Sequence, residues 1–479
     1  MLWLALHLRS LPLEVYARAA ASSSPLAVVD SKGSRTEVIA CNAAASRHGI
    51  RCGMPPNAAC ALAFDLQIVA RDVTAEKAAL ERIAAWAVQF TPAVSIAEPA
   101  EVLLEIAGSL GIFGGLPRLW NALREGLNAL GYGASMACAP TPLAAQWFAR
   151  ADLAVRLRHP DALQTSLPGL PLDVMQTQSE TLEFLQNVGA QTIGDCLALP
   201  RDGLARRLGQ ELLDDIDRAC GKLPDPRPFF TPPSVFKAAQ PLPAPAQEAE
   251  MLVFAARRLL VELCGYLSAT ASGAQCLTFF FAHHHREATR VVLSLTAATR
   301  DADHLTNVLR ERLERTALPC PATDVALECD LLLPLASRNL SFLPDPGQQH
   351  EAATQLIERL KARLGDEAVL GLERVADHRP EYAWRSCEPG TDDASLRTVA
   401  GRPLWLLAKP RALAEDGTAP SHEGRLRLLA GPERIESGWW DGKDVGRDYF
   451  VASNPAEALL WIYRERKPAG RWFLHGFFA

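Results

Sequence analysis

The hydrophobic pattern of the first 150 residues predicts strands that alternate with helices. Residues 1–8 and 102–107 are nearly continuous apolar runs, as in buried strands, and the second run ends in a glycine-rich turn. Apolar residues at helical spacing or alternating with polar ones predict the remaining elements: helices over 42–48, 74–90 and 116–130, and strands over 27–30, 37–40 and 134–139. This order predicts an α+β core in which the two apolar runs lie side by side in one sheet.

The pattern changes three times along the rest of the chain. Residues 167–221 read as short helices separated by glycines, and eight prolines between 224 and 245 predict an extended linker. Residues 248–332 then follow the order helix, strand, strand, helix, strand, which predicts a four-stranded sheet with two helices on one face. After a helix over 351–364, strand-like runs and glycine turns predict a small β-rich domain that holds five of the ten tryptophans.

These changes define the expected domains of an α+β multidomain protein. The first is a sheet-and-helix core over 1–166, with a mixed module at about 11–72, and the second is a helical domain over 167–223. A proline-rich linker over 224–245 leads to a sheet domain over 246–336. A linker and helix over 337–385 then precede the β-rich domain, residues 386–479.

Composition and charge narrow the classes of function. The net charge of −6 gives no overall attraction to nucleic acid, so any DNA contact must come from a local patch. None of the eleven cysteines forms a CxxC pair, which favours reduced thiols in the cytoplasm over zinc or disulfides. The apolar stretch 251–267 contains Arg257, Arg258 and Glu262 and is therefore expected to be an amphipathic helix and not a membrane span.

The ends of the two apolar runs are where chemistry would be expected. Two neighbouring acidic residues just before the second strand could hold magnesium, but the sequence there offers Ala100 and Glu101. The first strand ends in His7, Leu8 and Arg9 and has no aspartate. One carboxylate stands where two would be needed, so we expect no metal and no cofactor.

Two motifs in the first 120 residues resemble the Y-family of translesion DNA polymerases. CNAAASRHGIRCGMPPNAA at 41–59 is similar to the fingers motif of that family, and IAGSLGIFGG at 106–115 is similar to its palm turn. The resemblance covers roughly the first 340 residues and implies palm and fingers, a helix-hairpin-helix thumb, and a little finger reached through a proline-rich tether.

The resemblance also implies that the catalytic centre is lost. The first metal-binding aspartate of the family falls on His7, its second acidic position on Arg9 and its palm aspartate on Ala100, which leaves only Glu101. Imidazole is a poor magnesium ligand and a guanidinium repels the ion. The family's triphosphate-binding tyrosine, arginine and lysine correspond to Ala43, Ser46 and Pro142.

The last 100 residues carry motifs that resemble a non-catalytic branch of the same family. These are HRPEYAW at 378–384, GPERIESGWW at 431–440, RDYF at 447–450, and WIYRER and WFLHGFFA near the end. The resemblance implies an organiser of damage-induced mutagenesis that recruits an error-prone DnaE-type polymerase and a RecA-like accessory protein, ImuA.

A short peptide resembles the sequence with which bacterial polymerases bind the sliding clamp. In Asn339, Leu340, Ser341, Phe342 and Leu343 the apolar side chains would fill a preformed pocket, with Asn339 in place of a glutamine. The alternative is that these residues only hold a domain linker against the sheet domain.

Weak to moderate, non-specific DNA binding is expected at two places. Val188, Gly189 and Ala190 have the pattern of a helix-hairpin-helix turn, whose exposed amides can hold a phosphate, and Arg206 and Arg207 would add charge. In the sheet domain the candidates are Arg286 and Arg290, which follow three histidines at a hairpin tip. Ordinary helix packing and surface solubility explain these residues equally well.

Aromatic residues of the last 45 positions are the expected partner-binding surface. More than half of them are expected in the core of the β-rich domain, and the exposed remainder would be hot spots for a protein partner. The candidates are Trp439, Trp440, Trp472, Phe473, Phe477 and Phe478, with the terminal WFLHGFFA expected to be the most accessible.

The sequence therefore predicts a catalytically inactive, polymerase-like adaptor that bridges clamp, ImuA and a DnaE-type polymerase at damaged DNA. Two alternatives stay open at this stage. One is a working Y-family polymerase with a divergent metal site, and the other is an unrelated metabolic α/β enzyme, which would need a closed pocket lined by polar groups.

Overall fold

The computed structural model describes residues 1–17, 24–33, 35–335, 346–389, 402–403, 405–416, 419–466 and 470–478. It divides into two compact units, Met1–Arg363 and Leu364–Ala479. Within these residues no helix combines the length and apolar character needed to cross a bilayer.

The first 150 residues form two sheets with their helices. In chain order the elements are β1 (Trp3–His7), α1 (Leu11–Ala17), β2 (Leu26–Lys32), β3 (Arg35–Cys41), α2 (Ala43–Arg47), α3 (Pro56–Leu62), β4 (Gln67–Ala70), α4 (Val73–Ala87), β5 (Val94–Ala97), β6 (Glu101–Glu105), α5 (Leu116–Leu130), β7 (Ser135–Ala139) and α6 (Pro142–Arg150). The larger sheet has the antiparallel order β5-β6-β1-β7, and β3-β2-β4 form a smaller one.

Burial on both faces explains why β1 is apolar almost throughout. Leu4 and Leu6 point to the side where α4 and α5 pack, whereas Trp3 and Ala5 point to the side of α6. A strand covered on both faces reads as a continuous apolar run. The predicted pairing of the two runs is confirmed, because His7 lies opposite Glu101 in the antiparallel register of β1 and β6.

Five short helices follow: α7 (Pro160–Ser166), α8 (Ser179–Asn187), α9 (Ile193–Ala198), α10 (Arg201–Leu208) and α11 (Gln210–Ala219). Their apolar faces share one core with α6, which includes Trp147, Leu185, Ile193 and Ile216. The helical region therefore packs directly on the α6 face of the first sheet.

The rest of the first unit is a sheet domain, the little finger of the resemblance. Its elements are β8 (Phe236–Ala246), α12 (Ala249–Ala269), β9 (Ser272–His283), β10 (Arg286–Thr299), α13 (Ala302–Glu314), β11 (Ala322–Cys329), β12 (Leu332–Pro334) and α14 (Pro346–Leu364). The main strands have the order β10-β9-β11-β8. Within the predicted linker 224–245, residues 236–245 belong to β8; its prolines fit because β8 is an edge strand.

The second unit is built from strands. They are β13 (Gly371–Arg374), β14 (Trp384–Cys387), β15 (Trp405–Ala412), β16 (Ala414–Asp416), β17 (Ala419–Ser421), β18 (Arg427–Ser437), β19 (Val445–Ser453), β20 (Leu459–Glu465) and β21 (Trp472–Phe477). A five-stranded sheet has the order β15-β21-β20-β19-β18. The predicted fold class is confirmed, an α+β protein with a β-rich C-terminal unit.

Candidate functional site

The carboxylate of Glu101 lies at the end of the first sheet and is enclosed by protein groups. Only 2% of the residue is exposed. Arg150 donates from Nε to Oε1 at 2.6 Å and from Nη2 to Oε2 at 2.7 Å, and Gln146 Nε2 donates to Oε2 at 2.5 Å. His7 Nδ1 lies 3.2 Å from Oε1. Both carboxylate oxygens are therefore already engaged by side chains of this chain.

Helix α6 brings these donors to the carboxylate. It begins at a Thr141 cap with Pro142 in its first turn, and Gln146 and Arg150 are four residues apart, so they lie on the same face. Arg150 Nη1 also donates to the Val174 carbonyl oxygen at 2.9 Å. The guanidinium therefore joins the strand carboxylate to the helical region.

A second arginine extends this network into the segment before β8. Arg227 Nη2 donates to Gln146 Oε1 at 3.1 Å and to Asp225 Oδ2 at 2.7 Å. The Phe230 amide donates to the Val94 carbonyl oxygen at 2.7 Å, which continues the hydrogen bonding of edge strand β5. The tether is thus held against the first sheet beside Glu101.

Opposing effects set the pKa of Glu101. Burial raises it, but hydrogen bonds from His7, Arg150 and Gln146 outweigh burial and lower the pKa to about 2. The group is an anion at neutral pH, and its counter-charge is a guanidinium. A metal ion would have to displace Arg150 to reach either oxygen.

Arg9 and Ala100, the other two positions compared with the family's acidic residues, do not add carboxylates to the site. Arg9 is exposed, and at Ala100 only the backbone takes part, its carbonyl oxygen accepting from the Leu8 amide at 2.8 Å. Across the described ranges no three His, Cys, Asp or Glu side chains come together in a way that could hold a metal ion. The arrangement around Glu101 is that of a structural ion pair.

The predicted phosphate-binding turn has its amides occupied. The amides of Val188, Gly189 and Ala190 donate to carbonyl oxygens of α8. The next two, Gln191 and Thr192, donate to Asp195 Oδ2 at 3.0 and 2.9 Å. These amides are therefore used within the chain, by carbonyl oxygens of α8 and by a carboxylate of α9, and phosphate binding at this turn stays a prediction.

The predicted DNA-binding arginines are at the surface. Arg206 and Arg207 are exposed in the last turn of α10, and Arg207 lies over the Phe184 ring at 5.3 Å. Arg286 and Arg290 are exposed on β10. On this sheet face Arg290 is accompanied by Asp324 and by the ion pair of Lys237 with Glu328, so the face has no net positive charge.

The clamp-like peptide Asn339–Leu343 lies outside the described residues. The chain on either side of it is anchored. The Leu335 amide donates to the Ala271 carbonyl oxygen at 3.0 Å, and further along Glu358 of α14 bonds to His304 and to the Thr296 amide. The described chain therefore contacts the little finger both before and after the peptide.

The exposed and buried aromatic residues of the tail are only partly those expected from the sequence. Trp472 is only 7% exposed, and Phe473 stacks on Tyr463, because Trp472–Phe477 forms β21 inside the sheet. The expected accessible terminus is therefore largely interior, and Phe477 and Phe478 are only partly exposed. Trp439 and Trp440, on the loop between β18 and β19, are 80% and 59% exposed.

Sequence reasoning missed the network that supports the Trp439–Trp440 loop. Arg379 is almost completely buried, and its guanidinium binds Asp377 and Asp441 at 2.7 Å each. It also donates to the Lys443 carbonyl oxygen at 3.2 Å. Hydrogen bonds from Arg379 lower the pKa of both aspartates, so they stay charged and keep the loop in place.

A second buried network joins the other tail motifs. Arg447 Nη1 donates to Glu381 Oε1 at 2.9 Å and to the Tyr449 hydroxyl at 3.1 Å, which lies 2.8 Å from His475 Nδ1. Burial raises the pKa of Tyr449 and lowers that of His475 to about 4. The polar and aromatic residues of the tail motifs thus contact one another inside the second unit.

The comparisons with known proteins agree with the sequence resemblance. Residues 13–150 match the model of the impB/mucB/samB family. Two curated relatives called Protein ImuB, from Caulobacter vibrioides strains NA1000 / CB15N and ATCC 19089 / CIP 103742 / CB 15, are 27% identical over 447 residues. The match covers 88% of this chain and 98% of each relative.

Solved structures of Y-family polymerases are also similar to the chain. A Y-family DNA polymerase chimera of Dbh and Dpo4 matches with a TM-score of 0.41 at 17% identity, over 69% of this chain and 98% of the chimera. DinB from Sulfolobus solfataricus matches with a TM-score of 0.40 at 16% identity, over 70% of this chain and 100% of DinB.

Proposed function

The chain is a homologue of Protein ImuB with an impB/mucB/samB-family domain at residues 13–150, and from this premise we propose that it is a catalytically inactive, polymerase-like adaptor of error-prone translesion DNA synthesis. It would bring a sliding clamp, the RecA-like ImuA and a DnaE-type polymerase together on damaged DNA. The observation that carries the proposal is the state of Glu101, whose two oxygens bind Arg150, Gln146 and His7.

Phosphoryl transfer by two magnesium ions needs hard oxygen ligands that are free to bind them. At the end of β1 and β6 a single buried carboxylate is available, and a guanidinium neutralises it. A cation that entered would have to leave Arg150 without its counter-charge in a buried site, which is unfavourable. The ion pair between Glu101 and Arg150 would thus stabilise the polymerase-like fold and at the same time disfavour metal binding.

An adaptor needs surfaces for partners, and the second unit offers one. Trp439 and Trp440 are large, exposed side chains on a loop that Arg379 and Asp441 hold in place. Aromatic residues that are ordered before binding lose little entropy on association and are frequent hot spots. We assign this loop, and not the terminal WFLHGFFA, as the main protein-binding surface of the tail.

Contact with DNA would be weak and non-specific. Its candidates are Arg206 and Arg207 on α10 and Arg286 and Arg290 on β10, all of them exposed. Because the amides of the turn at 188–192 are occupied, these guanidinium groups, and not backbone N–H groups, would carry the phosphate contacts.

Clamp binding is proposed for Asn339–Leu343, between two anchored segments of the little finger. Purified clamp should be retained by the full chain and lost when Leu340 and Phe342 are both replaced by alanine. Leu331→Ala, which removes an exposed leucine shortly before that peptide in the sequence, is the matched control and should retain the clamp. Equal retention by the double variant would place the clamp contact elsewhere.

A further inference from the structure

Helix α14 is fixed on the little finger by one of its faces. Glu358 Oε1 accepts from the Thr296 amide at 2.6 Å, and Glu358 Oε2 lies 2.5 Å from His304 Nε2. One turn later Ala362 is buried in the core of the same domain. These contacts determine which side of the helix faces solvent.

The outward face carries a stripe of leucines. Leu356, Leu360 and Leu364 follow one another at intervals of four residues, so they lie on one side of the helix. Their exposed fractions are 56%, 37% and 54%. Single exposed leucines are common on protein surfaces, but three in register on a fixed helix form a continuous apolar strip.

The exposed charged side chains that flank the stripe along the helix are basic, and the exposed acids Asp366 and Glu367 follow only after its last leucine. Between residues 352 and 364 the acidic side chain, Glu358, points inward, whereas Arg359 and Arg363 are exposed. Both guanidinium groups lie near Glu311, at 3.5 and 3.9 Å. The two guanidinium groups share the one carboxylate of Glu311, so these three side chains together carry a net positive charge beside the leucine stripe.

We propose that this face of α14 is a docking site for an amphipathic helix of a partner protein that presents leucine-like side chains flanked by acidic residues. Apolar side chains at intervals of three and four would pack on the leucine stripe, and carboxylates would meet Arg359 and Arg363. The site rests on the proposed adaptor function and adds a further protein contact to it, and it depends neither on the state of Glu101 nor on the clamp peptide.

Other occupants fit the surface less well. A second copy of α14 would bring arginines against arginines, and nucleic acid would leave the leucines facing phosphates and water. The acidic helix satisfies both the apolar and the charged parts of the surface.

The direct test is fluorescence anisotropy with the full chain and two synthetic helical peptides of about 18 residues, long enough to form helix on binding. Both have the same leucine positions, flanked by glutamates in one and by lysines in the other. The glutamate peptide should bind saturably and at least roughly tenfold more tightly than the lysine peptide. Absent or equal binding of the two peptides would overturn the proposal.

Variants test whether peptide binding depends on the leucine stripe and its arginines and not on other exposed leucines. Leu356→Ser with Leu360→Ser should weaken binding of the glutamate peptide roughly tenfold or more, and Arg359→Glu with Arg363→Glu should reverse the preference to the lysine peptide. Leu428→Ser with Leu429→Ser removes two exposed leucines of the second unit and is the control. An effect of the control pair as large as that of the stripe pair would contradict the assignment.

Two further measurements identify other occupants. A concentration-dependent dimer in analytical ultracentrifugation that the Leu356→Ser, Leu360→Ser pair dissociates would mean that a second copy covers the stripe. A photo-crosslinker at position 356 that reacts with residues 371–479 of the same chain would mean that its own C-terminal unit covers it. Either result overturns the proposal, and a monomer without that crosslink supports it.

Discussion

At the scale of single residues, Glu101 is a buried carboxylate whose charge is balanced by a guanidinium. A carboxylate at the end of buried strands needs a positive partner, and either a metal ion or a guanidinium can supply the charge. Here the partner is Arg150, supported by Gln146 and by the neighbouring strand residue His7. The residue is now needed for the stability of the junction between sheet and helices.

The first prediction concerns that stability. Glu101→Gln removes the anion and leaves Arg150 charged in a site with little water, so the free energy of unfolding should fall by about 3 kcal/mol. Urea unfolding of the two proteins measures this. Glu98→Gln, which breaks an exposed pair with Lys77, is the control and should change stability by less than about 1 kcal/mol.

The same pair of proteins predicts a pH dependence. The pKa of Glu101 falls from 4.5, its ordinary value, to about 2 in the folded chain, so between these values the unfolded chain binds more protons. The stability that Glu101 contributes is complete above about pH 4.5 and is lost as the pH falls toward 2. The difference between wild type and Glu101→Gln should therefore shrink between pH 5 and about pH 3. A constant difference would contradict the ion pair.

The sequence identified Glu101 as a lone carboxylate but could not identify its partners. Gln146 and Arg150 are more than forty residues further on, in a helix whose apolar pattern predicts packing and says nothing of the polar face. Their contact with Glu101 depends on how α6 packs across the sheet. Local sequence patterns do not predict that tertiary packing.

At the scale of elements, the aromatic residues of the last strand and those of the loop between β18 and β19 differ in exposure, although the sequence placed both among the partner-binding candidates. Trp472 and Phe473 pack within the sheet because β21 lies between β15 and β20, where both edges are paired. The loop residues Trp439 and Trp440 stay outside because Gly438 and Gly442, both at positive φ, close a tight connection that the sheet cannot cover. Composition alone could not distinguish these two groups of aromatics.

The second prediction separates them by experiment. Trp439→Ala with Trp440→Ala should reduce binding of the partner polymerase or of ImuA at least roughly tenfold and leave thermal stability nearly unchanged. Trp461→Ala should instead destabilise the C-terminal unit by about 3–5 kcal/mol, because its ring is buried against Tyr449. Pull-down and thermal melting measure the two effects. Full partner binding by the double variant would refute the assignment of the loop.

At the scale of the first unit, the little finger is attached to the palm by interlocking helices. Trp86 of α4 is buried between Gly126 of α5 and Gly265 of α12, and a Cβ atom at either glycine would overlap its ring. Beside it, Arg82 Nε lies 3.4 Å from Oε2 of Glu262, which is fully buried. The sequence predicted helices α4, α5 and α12, but the spacing of apolar residues within a helix does not show which other helix it contacts.

The third prediction follows from that contact. Gly265→Ala should lower the free energy of unfolding by about 1–3 kcal/mol, because the added methyl group must push the Trp86 ring out of place. Gly203→Ala, in α10, where the new Cβ would lie 4.0 Å from the Pro200 side chain in ordinary van der Waals contact, is the control and should be neutral or stabilising by up to about 1 kcal/mol. Urea unfolding measures both. A neutral Gly265→Ala would mean that the two domains are not closely packed.

We propose that the polymerase-like shape has been retained while the carboxylate of Glu101 has been enclosed by protein groups. Primer extension tests it most directly, with the purified chain, a primed template, all four deoxynucleoside triphosphates, and Mg²⁺ or Mn²⁺. We predict no extension beyond that of buffer for the wild type and for Glu101→Gln alike. Template-directed incorporation by the wild type that Glu101→Gln abolishes would contradict the account.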